Sequence, residues 1–314
     1  NQMTNKKPLL IALQLSFLAG LGIIFQASTC EILPRDEMYY VYTSEYPRDR
    51  DAEWAENVQG VTHDNDHWYI TQTRTLWKIP LDIDINEAAR NTQNVQIIDL
   101  KDIPQLWDLG YDHFGDLSYY NYQKGTYLLV PLEDDRRNEP DGAPGAIAIF
   151  DARTLAYIDH AEINLKAAPW CAVDPDGFLY TSETGTDYLK ISVDWNTLFA
   201  SNQLFFGVQE RITLLDETGN PVEINTPQGG VISPGGRLLY ISAGLDAIPG
   251  FDFNAFLSWG IHVFDLESNR RIKRSLNGKG PFNYEFNPGP LTWEEPEGMT
   301  IWDLDDKGPE QIIG

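Results

Sequence analysis

One repeated unit of sequence predicts an all-β fold of the β-propeller type, and three observations carry that expectation. Each copy opens on a polar residue beside or close to a glycine, and continues through a short β-branched and aromatic run. A tight turn rich in Asn, Asp, Gly or Pro and a second run of the same kind follow. Beyond residue 30 no long stretch shows the 3.6-residue period of a helix.

The copies follow in order. The first is Gln59-Gly60-Val61-Thr62, a turn over His63-Asp64-Asn65-Asp66, then runs at Trp68–Thr71 and Leu76–Ile79. The second opens at His113-Phe114-Gly115-Asp116-Leu117, with runs at Tyr127–Val130 and Ala146–Asp151. The third opens at Pro169-Trp170-Cys171-Ala172-Val173, turns through Asp174-Pro175-Asp176-Gly177, and has runs at Phe178–Thr181 and Tyr188–Ile191. The fourth opens at Gln228-Gly229-Gly230-Val231-Ile232, turns through Ser233-Pro234-Gly235-Gly236, and has runs at Leu238–Ile241 and Ile261–Asp265. A fifth begins at Glu297-Gly298-Met299. The spacing of roughly 55 to 70 residues suits blades enlarged by loops, so the expected architecture is five or six four-stranded blades. The fifth copy lacks its later runs. The last blade is therefore expected to be truncated, with completion by the run Met38–Thr43 as the alternative. A β-sandwich would not explain a repeated opening motif.

Residues 1–30 have the pattern of a signal peptide or an N-terminal anchor, which leaves residues 31–314 as the propeller domain. Lys6 and Lys7 precede the apolar run Leu9–Phe25, and small and polar residues lead to Cys30. The expected location is secreted, periplasmic or anchored to the cell envelope, with membrane contact only through this segment. Lipidation at Cys30 is a further option, although Thr29 fits it poorly. The second cysteine, Cys171, lies in an apolar stretch and reads as a small buried hydrophobe.

With 42% hydrophobic residues in 314, the chain can bury a large core. Asp and Glu number 47 against 23 Lys and Arg, a net charge of -24. So acidic a surface repels phosphate backbones and anionic headgroups, which argues against a nucleic-acid partner. The excess either serves as a solvated surface or gathers carboxylates for Ca²⁺.

In a propeller the first strand of each blade lines the axis, and its opening residues face a funnel at one end. That places Gln59, His113, Asp116, Trp170, Gln228 and Glu297 at the funnel floor as ligand-binding candidates. The competing reading is that they hydrogen-bond one another and close the channel. The inserted loops, at 99–112, 133–144, 243–259 and 277–296, all fall on the funnel side, as expected of a binding face. Their aromatic and acidic residues suit a sugar or a cationic amine, and a protein partner could use the same face. No Gly-x-Ser-x-Gly, His-Glu-x-x-His or P-loop motif is present. His63 and His67 flank Asp64 and Asp66 on a short far-side turn, too few soft ligands for a metal site. Asp303 to Gly308 reads as a hairpin turn rather than a Ca²⁺ loop.

The segments Gln59-Gly60, His113-x-Gly115-Asp116, Ala168-Pro169-Trp170, Gln228-Gly229-Gly230 and Glu295-Pro296-Glu297-Gly298 resemble a group of uncharacterised bacterial secreted propellers. More loosely they resemble the six-bladed and YVTN-type propeller superfamily. The resemblance implies the fold and export. Because that superfamily includes Ca²⁺-dependent lactonases and esterases, it also implies an alternative function. In that alternative Asp116 and Glu297 hold Ca²⁺, His113 is the catalytic base and the substrate is a lactone or ester.

Overall fold

A computed structural model describes residues 52–123, 125–183, 188–224, 226–243, 260–274, 297–302 and 312–313. All of them fall in one compact unit, Tyr39–Gly314. The expectations for residues 1–30, the run Met38–Thr43, the loops at 244–259 and 277–296 and the turn Asp303–Gly308 lie outside the described residues. Among the described residues no helix is long and apolar enough to cross a membrane.

The chain is an all-β propeller. Its first blade is β1 (Val58–His63), β2 (His67–Gln72), β3 (Thr75–Pro80) and β4 (Gln96–Asp99), paired in that order. The second runs from β5 (His113–Phe114) and β6 (Ser118–Tyr122), which both pair with β7 (Gly125–Glu133), to β8 (Ala146–Asp151) and β9 (Tyr157–Glu162). The third is β10 (Cys171–Val173), β11 (Phe178–Ser182), β12 (Tyr188–Val193) and β13 (Phe206–Ile212). The fourth is β14 (Pro227–Ile232), β15 (Leu238–Ala243), β16 (Gly260–Asp265) and β17 (Arg270–Arg274). The neighbouring strands pair antiparallel throughout. Among the described residues two short α-helices decorate the sheets, α1 (Pro104–Trp107) and α2 (Trp195–Ser201).

The described residues form four blades, not the expected five or six. The fifth opening motif leads only into β18 (Thr300–Ile301), paired with β19 (Ile312–Ile313) in a two-stranded sheet. An opening motif marks an innermost strand, so counting motifs overcounts complete blades. The innermost strands neighbour one another in the order β1, β6, β10, β14 and β18, and β18 lies beside β1 again.

The far-side turns show why Asp or Ser precedes them. Asp64 Oδ1 accepts the N–H groups of Asp66 and His67, each at 2.7 Å. Asp174 Oδ1 accepts that of Phe178 at 2.9 Å, and Ser233 Oγ that of Leu238 at 3.1 Å. A side chain of this length closes the turn by satisfying backbone donors that the ladder leaves over. The second oxygens of Asp64 and Asp174 accept the hydroxyls of Tyr69 (2.7 Å) and Tyr180 (3.2 Å), which anchors the second strand to the turn.

The core lies mostly between adjacent sheets. Leu76, Phe114, Leu128 and Phe150 fill the space between the first and second blades. Leu129, Ile149, Cys171 and Leu189 fill that between the second and third, and Tyr180, Leu239, Ile241 and Phe264 that between the third and fourth. Cys171 is fully buried, and burial pushes its thiol pKa well up, as expected of an inert core cysteine.

Candidate functional site

The axis is closed by Asp116 and Trp170. Both are fully buried, and they face each other across a parallel bridge between the second and third blades. The Asp116 N–H donates to the Pro169 carbonyl at 2.8 Å, and the Cys171 N–H to the Asp116 carbonyl at 3.0 Å. The Asp116 side chain then reaches the other inner strands. Its Oδ2 accepts the Gly230 N–H at 3.0 Å and its Oδ1 the Val61 N–H at 3.2 Å. Burial raises the carboxyl well above its ordinary pKa, while the backbone N–H groups of Gly230, Val61, Met299 and Leu117 pull the other way. One carboxylate thus joins the first, second and fourth blades and the last sheet.

The glycines of the repeat make room for this plug. A Cβ on Gly60 would lie 2.5 Å from the Asp116 Cα, and one on Gly298 2.3 Å from its Oδ1. A Cβ on Gly230 would lie 2.1 Å from the Trp170 ring. The indole Nε1 donates to Ser182 Oγ at 2.9 Å, so even the polar edge of the plug is satisfied within the fold.

Register refines the repeat. Trp68, Leu179 and Leu239 face His63, Val173 and Ile232 at the turns. Counting from there, Trp170 occupies the rung of Gly60 and Gly229, while Pro169 occupies that of Gln59 and Gln228. Gln59 and Gln228 are equivalent, each in a bulge at the start of its inner strand. Trp170 and Asp116 lie one rung deeper than those glutamines, which explains their complete burial.

On the funnel side of the plug the structure brings His113 and Gln59 together, with His113 Nε2 and Gln59 Oε1 2.6 Å apart. Both side chains are half-buried. Burial lowers the His113 pKa, opposed by Asp135 and Asp112, while Arg137 and Arg74 add to the lowering. His113 pairs across the sheet with Glu133, which is buried and has a raised pKa for the same reason, opposed first by Arg137. Gln228 and Glu297 are half-buried, and the Glu297 carbonyl accepts the Ser242 hydroxyl at 2.5 Å. Among the described residues no three His, Cys, Asp or Glu side chains gather as a metal ion would need.

A cavity of about 410 Å³ opens where the second and third blades meet. Arg137, Lys166, Arg211, Asn164 and Glu183 line it, with Leu165 among its apolar walls. The loop after β7 is organised by Asp134, only 1% exposed, whose oxygens accept the N–H groups of Ala143 (2.9 Å) and Arg136 (2.8 Å). The Arg136 guanidinium adds a bond at 3.2 Å. Those donors hold the Asp134 carboxyl below its usual range, although desolvation opposes them. The sequence placed this loop on the funnel side but gave no sign of the cavity, because its cations come from separate elements. The nearest signal was the basic pair Arg136-Arg137 in an acidic stretch.

No family model and no curated protein matches the chain. Among solved structures it is similar to the Dos1 propeller, at 12% identity and a TM-score of 0.40 over 71% of this chain and 48% of that one. It is also similar to the β-propeller domain of Cps50 (Swd1) from Myceliophteria thermophila, at 12% identity and a TM-score of 0.38 over 75% and 60%. A chain of the mitotic checkpoint complex matches at 12% identity and a TM-score of 0.35 over 60% and 47%. The matched regions span less than two thirds of those chains, and the propeller assignment rests on the strand order and the ring of inner strands described above.

Proposed function

We propose that the chain is a binding propeller that holds a small molecule or a partner on its funnel face and carries out no chemistry at its axis. The observation that carries this reading is the use of Asp116. Both carboxylate oxygens accept backbone N–H groups from other inner strands. A site lined by N–H donors suits an oxygen pair of this protein and offers a cation no ligand. The polar groups left for recognition are Gln59 and His113 and those that line the cavity between the second and third blades. Export through the N-terminal segment is part of this proposal and rests on the Lys-led apolar pattern of residues 6–30 alone.

The second reading, a Ca²⁺-dependent lactonase or esterase, draws on the carboxylates Asp116 and Glu297 and on His113, whose half-buried imidazole with a lowered pKa would suit a general base. The two readings part in one experiment. A panel of neutral and charged monosaccharides is titrated into the protein, and a homoserine lactone and p-nitrophenyl acetate are tested for turnover, each with Ca²⁺ and with chelator. Binding that survives chelator, without turnover, is expected. His113→Ala should weaken it, while Asp176→Ala on the far-side turn should leave it unchanged. Turnover that needs Ca²⁺ and disappears in Glu297→Gln would favour the hydrolase instead.

A further inference from the structure

The cavity between the second and third blades gathers cations in a chain that is acidic as a whole. Lys and Arg supply 23 of 314 residues, and acidic residues outnumber them two to one. Among the described residues that line this cavity, Arg137, Lys166 and Arg211 stand beside one carboxylate, Glu183, while the buried Glu133 also feels the Arg137 charge. Arg137 is held in place by the loop that folds around buried Asp134, with its own N–H bonded to the Asp134 carbonyl at 2.9 Å. Lys166 and Arg211 reach the same space from the link between the second and third blades and from the outermost strand of the third. The Arg211 guanidinium donates to the Asn164 carbonyl at 3.4 Å, and Glu183 accepts the Lys166 backbone N–H at 3.2 Å. Neither Arg137 nor Lys166 makes a side-chain ion pair among the described residues.

Resting on the reading of the funnel face as the binding face, we infer that this cavity takes an anionic small molecule, bound through its carboxylate or phosphate by Arg137 and Lys166. The volume of about 410 Å³ falls in the general range of small-molecule pockets. Asn164 and Glu183 offer hydrogen bonds to hydroxyl groups, and Leu165 supplies an apolar wall. Arginine favours an oxyanion because its donors form a fixed fork that matches two oxygens. A cationic amine, one of the ligand classes suggested by the acidic loops, is disfavoured in this cavity by Arg137 and Lys166.

Three ligands that share one ring and differ in charge test the inference: glucuronate, glucose and glucosamine, with glucose 6-phosphate to separate carboxylate from phosphate. Each is titrated by calorimetry into the full chain and into Arg137→Gln and Lys166→Gln, whose melting temperatures report that the fold is kept. The expected result is millimolar or tighter binding of glucuronate or glucose 6-phosphate, with glucosamine weakest. Each variant should weaken the anion about tenfold, the usual loss for one charged hydrogen-bond partner. Equal binding of glucose and glucuronate that His113→Ala weakens would overturn the anionic inference and leave the funnel-face reading standing. Anion binding unchanged in Arg137→Gln, Lys166→Gln and His113→Ala would overturn both. No saturable binding of either anion would overturn the inference.

Discussion

At the scale of single residues, the polar groups of the inner strands' opening motifs either hold those strands together or face outward, and depth decides which. His113 sits at the upper level. Burial lowers its pKa below the ordinary 6.5 of the unfolded chain. As pH falls, the unfolded chain therefore takes up the proton first. The stability tied to this group is full above 6.5 and declines as pH drops from there toward the folded value. Denaturation of wild type and His113→Gln should accordingly give curves that diverge through that window, with the variant the flatter. Trp170 sits at the lower level, and Trp170→Phe tests its polar edge. Removing the indole N–H takes a partner from Ser182, itself fully buried. A loss of about 1–3 kcal/mol is expected in urea denaturation, from the unsatisfied hydroxyl and the smaller ring.

At the scale of elements, the inner strands depend on missing side chains. Gly230→Ala would set a methyl 2.1 Å from the Trp170 ring, which is itself packed on all sides. Overpacking of this kind costs about 1–3 kcal/mol, and the upper end is expected because a rigid, fully buried ring, not a flexible tip, stands in the way. A Gly230→Ala protein as stable as wild type would show that the inner strands are more loosely spaced. The inner and middle strands were legible in the sequence because they combine β-branched and aromatic runs with turn residues. The outer strands were not. Gln96–Asp99, Tyr157–Glu162, Phe206–Ile212 and Arg270–Arg274 are edge strands with much polar surface, and Arg-Arg-Ile-Lys-Arg in β17 carries no alternating apolar signal. The bulges at Gln59 and Gln228 hid a one-rung offset, so Trp170 and Asp116 looked equivalent to those glutamines. Of the candidate site, the repeat singled out both His113 and Gln59, but not their direct contact. Arg137, Lys166 and Arg211 meet only through folding, and no spacing in the chain announces them.

At the scale of the whole molecule, a ring of inner strands needs something at its centre, and here one carboxylate fills it. Asp116 accepts N–H groups from β1 and β14, while its own backbone is bonded to the segment entering β10. Those bonds tie sequence-distant blades together, which favours a single cooperative unfolding transition. The proposal that Asp116 is a structural hub rather than a metal ligand is tested most directly by Asp116→Asn. An amide keeps the shape but turns an NH₂ group toward a backbone donor. Guanidinium denaturation with and without Ca²⁺ should show a loss of about 2–4 kcal/mol that is the same in both conditions. A variant as stable as wild type, with a Ca²⁺-dependent stabilisation present in wild type and absent from the variant, would contradict it.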